Sequence, residues 1–325
     1  MGTHAQTLAA IVLAVACVSA TLPQRAVAAT PAPVQTKANP NELILCGWDE
    51  VFILDMSQSG NGRPKKVWSW WANGHPGVPW YQKDVSFGAT AECKPVDGGA
   101  NILITSSGSG VGVALVTRDT GKVLFHAVTE NAHSADLLPG NRLAVATSGH
   151  EVGTPPINPD RLTIYDAKTP GKELYSTELP RGHGVVWDEA RQTLWALSHR
   201  DLRAYRLAKW DSESPSLEML FMLDLPVGGG HDLYPVPDSP LMTVSTYGHC
   251  WLFDRDKRSV QPHPQLEETG SVKGISINPV TGQLAYVQAE GDNWWAERVH
   301  LLQPDSVLYL PGERLYKARW NVQVR

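Results

Sequence analysis

Three histidines sit in near-copies of one phrase: Asn131-Ala132-His133-Ser134, Arg181-Gly182-His183-Gly184 and Gly229-Gly230-His231-Asp232. They lie 50 and 48 positions apart (133 to 183, 183 to 231). Imidazole exchanges protons near neutral pH and is also a common metal ligand. Three neutral imidazoles brought together could hold one divalent metal ion, leaving positions open for a substrate carboxylate. Without a metal they could act as general base and general acid. Either chemistry requires residues this far apart to converge, so the fold must deliver them.

Each His is followed by a short apolar run, a turn and a second run: Leu143–Ala146, Leu194–Leu197 and Leu241–Val244. A third run then ends in an aromatic, at Tyr165, Tyr205 and Phe253. A period of about 40–50 residues built from short strands is the signature of propeller blades. The template continues upstream through Thr90–Cys93, Ile102–Thr105 and Val113–Val116. Downstream it continues through Val272–Ile277, Leu284–Val287 and Val299–Leu302. This alignment puts Ala91 and Lys273 where the histidines stand. Four intervals from 91 to 273 average about 45 residues, so residues 42–325 hold six blades, or seven if one repeat has diverged. Leu43–Leu45 and Val51–Asp55 read as second and third strands with no first, and Tyr316–Asn321 reads as a first strand with no successor. Pairing these ends in one blade closes the ring and removes open sheet edges. The expectation is an all-β, six-bladed β-propeller.

In a propeller the first strand of each blade lines the channel, and its opening residues gather at one mouth. His133, His183, His231 and Lys273 are therefore expected to converge, with Lys273 as a second proton carrier or an anion's partner. Tyr247, beyond a second strand, is a candidate acid if its loop reaches the mouth. Arg319 and Arg181 flank first-strand starts and could grip a carboxylate in bidentate fashion. Glu92, beside Ala91, is the best-placed carboxylate. Trp80, Trp294 and Trp295 fall in expected loops, where indole faces stack on sugar rings; Trp68 and Trp187 fall at strand positions and are expected to fill the space between blades. His75 lies in a long connection, Asn61–Pro79, and Gly149–Asp160 and Gly291–Ala296 also exceed what tight turns need. Against the chemical readings, Gly182-His183 and Gly230-His231 resemble the Gly-His dipeptide that opens repeats in WD-type propellers, where the His is structural. Both readings stay open, although Ala91 and Lys273 show that the fold does not need imidazole at this position.

Residues 1–28 read as a secretory signal: an apolar run, Leu8–Ala20, precedes Ala26-Val27-Ala28. The run is shorter than the roughly 20 residues of a membrane span, so the expected location is secreted or periplasmic, with lipid attachment at Cys17 the alternative. Residues 29–41 read as a flexible leader. Net charge is −5 with basic residues scattered, which gives no nucleic-acid surface. Past the signal remain Cys46, Cys93 and Cys250; export permits a Cys46–Cys93 disulfide, and three buried thiols is the other reading. Gly-x-Ser-x-Gly, Cys-x-x-Cys and His-Glu-x-x-His are absent, and Gly108-Ser109-Gly110-Val111-Gly112 lies between strands and reads as a hairpin.

The phrases Ala132-His133-Ser134-Ala135-Asp136-Leu137-Leu138-Pro139, His183-Gly184-Val185-Val186-Trp187-Asp188 and Gly230-His231-Asp232-Leu233 resemble a family of secreted microbial propellers with no assigned function. That resemblance covers nearly all of residues 42–325 and implies the fold but no reaction. In layout the chain is also similar to propeller polysaccharide lyases, in which channel histidines hold a divalent metal or pair with tyrosine in proton transfer. No motif carries a catalytic residue across, and fold alone does not imply function. The leading expectation is an exported carbohydrate-active protein that cleaves uronic-acid-containing glycans by β-elimination. A metal on His133, His183 and His231, or Arg319 with Lys273, would neutralise the uronate. The alternative is a non-catalytic propeller that binds glycan or protein and uses its histidines structurally.

Overall fold

A computed structural model describes Gly2 and residues 38–60, 63–72, 87–108, 111–149 and 160–325. Met1 and residues 3–28, which the sequence reads as a secretory signal, most of the expected leader, His75 and Trp80 lie outside the described residues. Among those described, twenty-four strands form six four-stranded antiparallel sheets. The sheets' innermost strands are Thr90–Val96, Ala132–Leu138, Gly184–Asp188, Asp232–Pro235, Val272–Ile277 and Lys317–Asn321. Each packs against the next around a ring, and Lys317–Asn321 closes it against Thr90–Val96 and Val272–Ile277. This is the six-bladed β-propeller that the repeats imply.

The closing blade is built from both ends of the described chain. Asn39–Gly47 is its second strand and pairs with Lys317–Asn321, Leu43 opposite Trp320 and Leu45 opposite Ala318. Its outer strand, Arg63–Trp71, occupies about half of what was expected to be a long connection. Trp68 and Trp70 alternate along the strand with Val67, Ser69 and Trp71, and both rings turn inward to the core shared with the next blade. Trp187 likewise fills an inter-blade core, with Leu138, Ile164 and Tyr205.

The hydrophobic cores lie between blades. Ile44, Cys46, Val51 and Trp70 of one sheet interleave with Cys93, Ile104 and Val116 of the next. The thiols of Cys46, Cys93 and Cys250 are free and buried, so the disulfide reading gives way to the thiol one. Burial pushes the Cys93 thiol well above its ordinary pKa and that of Cys250 to about 12. Thiolate is the reactive form. An alkylating reagent is therefore expected to leave Cys93 and Cys250 untouched in the native protein and to label them on unfolding, as peptide mapping would read. No helix among the described residues is long and apolar enough to cross a membrane.

Candidate functional site

The backbone aims six side chains across one mouth. In three blades the innermost strand carries a β-bulge: two of its residues, Thr90 and Glu92, Ala132 and Ser134, or Val272 and Gly274, bracket one that the neighbouring strand does not match. The extra residues are Ala91, His133 and Lys273. Bulges re-aim side chains and terminate pairing. In the other three blades the corresponding residue precedes the strand, and its amide bonds the second strand: His183 to Leu197, His231 to Ser245 and Tyr316 to Cys46. Two positions earlier the chain turns in the left-handed region at Asn131, Arg181, Gly229 and Ser271. The ring therefore reads Ala91, His133, His183, His231, Lys273 and Tyr316.

The rings of His133 and His183 stack with centroids 3.9 Å apart, and His183 meets His231 edge-on at 5.2 Å. Lys273 Nζ lies 3.2 Å from His231 Nε2. On the far side the Tyr316 ring is 6.3 Å from that of His133, across the blade that supplies only the Ala91 methyl. The ring residues other than Ala91 line a cavity of about 240 Å³ with Ala89, Ser107, Gly108, Asn131 and Trp294. Tyr247 reaches the same mouth from the hairpin after the second strand of its blade, its ring 5.2 Å from His231 and 5.7 Å from His199. Gly229 permits this approach: a Cβ there would fall 2.2 Å from the Tyr247 ring.

Protonation follows from the partners. A carbonyl only accepts, so the 2.8 Å contact of His183 Nδ1 with the Arg181 carbonyl puts the proton on Nδ1 and a lone pair on Nε2. The Lys273 ammonium donates to His231 Nε2, which leaves the proton on His231 Nδ1; that nitrogen and His133 Nδ1 are buried without a protein partner. Burial is the main cause holding His133 and His231 well below the usual imidazole pKa and His183 at about 4. Burial also lowers Lys273 to about 8. The mouth thus presents neutral bases, one soft cation and a rim phenol.

Other sequence candidates fall elsewhere. Arg319 and Glu92 are fully buried beneath the mouth and cannot touch a substrate there. Arg319 lies 3.0 and 3.1 Å from Glu92 and 2.6 and 2.9 Å from Asp232, with its guanidinium 4.1 Å from the centroid of the Tyr234 ring. Lys317 sits 2.9 Å from Asp232 and 3.4 Å from Glu92. Two residues further along the strand of Glu92, Lys94 pairs with Asp136 of the next blade at 3.4 Å. Three cations thus meet three anions in the channel, which makes this layer a plug rather than a binding site. Arg181 contributes its carbonyl to His183. Trp294 lines the cavity and stacks on Trp48 at 5.9 Å, while Arg314 lies 4.0 Å over Trp48 and 5.4 Å from the half-buried Trp295. The metal expectation does not fit this geometry: among the described residues no group of three or more His, Cys, Asp or Glu side chains is placed to hold an ion. Imidazole lone pairs lie in the ring plane, so stacked rings such as His133 and His183 do not aim at a common point.

Sequence reading missed Tyr316, Trp48 and His199. Tyr316 is the sixth ring member, one residue before the closing strand. Trp48, His199 and Tyr247 occupy one template position, two residues past Cys46, Leu197 and Ser245, whose carbonyls receive the ring amides. Aligning the second strands as well as the first would have found them. Trp48 is also held with φ of 51° in a two-residue hairpin loop and is 40 % exposed. Such backbone costs a bulky residue energy and usually goes to Gly, Asn or Asp.

The comparisons speak to fold. No curated protein matches the chain. A solved structure described as a crystal structure of a nidogen/laminin complex is similar at 13 % identity with a TM-score of 0.54, covering 86 % of this chain and 97 % of that one. A model for a family of unknown function, DUF6528, matches residues 7–324, so the chain belongs to that family.

Proposed function

We propose that this is an exported carbohydrate-active propeller that cleaves a uronic-acid-containing glycan by β-elimination at the imidazole-lined mouth. One observation carries the reading: Lys273, a cation with no acidic partner among the described residues, stands in a pocket walled by neutral imidazoles. In such an elimination the Lys273 ammonium pairs with the uronate carboxylate and so acidifies the C5 proton. His183 Nε2, kept unprotonated by the Arg181 carbonyl on its other nitrogen, takes that proton. The released electron pair forms the C4–C5 double bond, the C4–O bond breaks, and the Tyr247 hydroxyl protonates the leaving oxygen. Trp294, continued by Trp48, gives sugar rings an aromatic shelf beside the cavity.

The expected result with a panel of uronate polysaccharides is a rise in ultraviolet absorbance from the unsaturated product. His183→Ala should lower kcat by about 10²–10⁴, the usual worth of a positioned base. Lys273→Ala should raise KM as well, because the carboxylate loses its partner. If every polysaccharide is bound without turnover, the protein is a glycan-binding propeller; if none is bound or cleaved, the proposal fails.

A further inference from the structure

We infer that Lys273 is a carbonyl-capturing amine: held in the imidazole-lined cavity with His231 Nε2 as its partner and no carboxylate paired with it among the described residues, it forms a Schiff base with a small aldehyde. An exposed lysine is a strongly hydrated ammonium, and the amines that do carbonyl chemistry are those that burial has relieved of charge. Lys273 is 8 % exposed and lines about 240 Å³ of space, its ε-nitrogen 3.2 Å from a second lining residue, His231, and burial brings its pKa to about 8. The groups around it supply no counter-charge. His133, His183, His231 and Tyr316 share the cavity, and the neighbouring strand adds Lys317, whose stem packs on Gly274 and whose ammonium engages Asp232 and Glu92 in the layer below.

The chemistry balances within this set. His231 Nε2 accepts a proton from the ammonium, and the freed lone pair attacks the aldehyde carbon to form a C–N bond. The carbonyl oxygen takes one proton from the newly bonded nitrogen to become a hydroxyl and leaves as water with the proton that His231 returns, and the nitrogen lone pair so freed closes the C=N bond. This does not rest on the elimination chemistry, which uses the ammonium form; failure of one leaves the other standing.

The test exposes the full chain to glyceraldehyde with sodium cyanoborohydride at about pH 7.5, which reduces any imine to a stable secondary amine, and maps modified peptides by mass. At that pH an ordinary lysine near pKa 10.4 is neutral about one part in a thousand, against roughly a quarter for a group at about 8. Lys273 is therefore expected to be modified at least tenfold faster than exposed Lys65 and Lys257, with a rate that levels off above about pH 8. His231→Asn should slow capture several-fold; an unchanged rate would overturn the proton path. Lys273→Arg, checked for its fold by circular dichroism, should leave the surface rates as they were. Modification of Lys273 no faster than of the surface lysines would overturn the proposal.

Discussion

Arg319→Met is expected to destabilise the protein by about 3–5 kcal/mol, the cost of removing one partner from a buried ion pair. The guanidinium spans Glu92 and Asp232 with four contacts of 2.6–3.1 Å and gives a further hydrogen bond to the Ile275 carbonyl. Without it, Lys317 is the one cation left in contact with both buried carboxylates, with Lys94 acting on Glu92 alone. Burial opposes their charge, yet Arg319 and Lys317 hold Glu92 down at about 2 and Asp232 well below the usual carboxylate range. Losing the larger cation lets burial prevail. Urea denaturation would read the change as a lowered midpoint at constant slope. Glu92→Gln in the Arg319→Met background should recover part of the loss, since one uncompensated charge then disappears. A midpoint within experimental error of the wild type would show that the plug is not electrostatically coupled.

As pH falls from 6.5 to 4 the protein is expected to lose several kcal/mol of stability, beginning above the range in which carboxylates titrate. His133, His183 and His231 all have folded pKa values lowered by burial, whereas in the unfolded chain they titrate near 6.5. In that window the unfolded state binds more protons, so stability falls as pH falls. His183 alone, at about 4 when folded, withdraws roughly 3 kcal/mol by pH 4. Glu92 and Asp232 act lower down: their stabilisation is present above the unfolded values and is lost as pH falls toward about 2. Two acid steps should therefore appear in melting temperature against pH. His183→Gln should shrink the upper step and leave the lower one in place. A flat profile from pH 6.5 to 4.5 would mean that the mouth admits charge freely and that its imidazoles are solvated.

The architecture was legible because each blade repeats its apolar runs at near-constant spacing, and because Leu43–Leu45 and Tyr316–Asn321 complement each other. The convergence of His133, His183, His231 and Lys273 followed from the repeat alone. What charge and exposure do at each height of the channel did not. Glu92 and Arg319 are each the third residue of their innermost strand, deep enough that neighbouring blades bury them fully, while Lys273, the second residue of its own, stays at the mouth. The alternation Glu92-Cys93-Lys94, Ser134-Ala135-Asp136 and Lys317-Ala318-Arg319 carries that signal, since polar side chains two apart share the channel face of a strand. The stacking of His133 on His183 depends on a one-residue bulge, and no local pattern announces a bulge. The metal expectation failed for that reason: spacing brought the rings together but said nothing of their planes.

Lys317 and Arg319 belong to the same short strand that closes the ring. Circular closure and charge neutralisation are therefore a single event. A five-sheet intermediate would expose the two apolar sheet faces that the closing blade covers and leave Glu92 and Asp232 without two of their cations. Repeat arrays ordinarily fray from their ends one unit at a time. Here the clasp penalises partial assembly twice over, so the six sheets melt as one body.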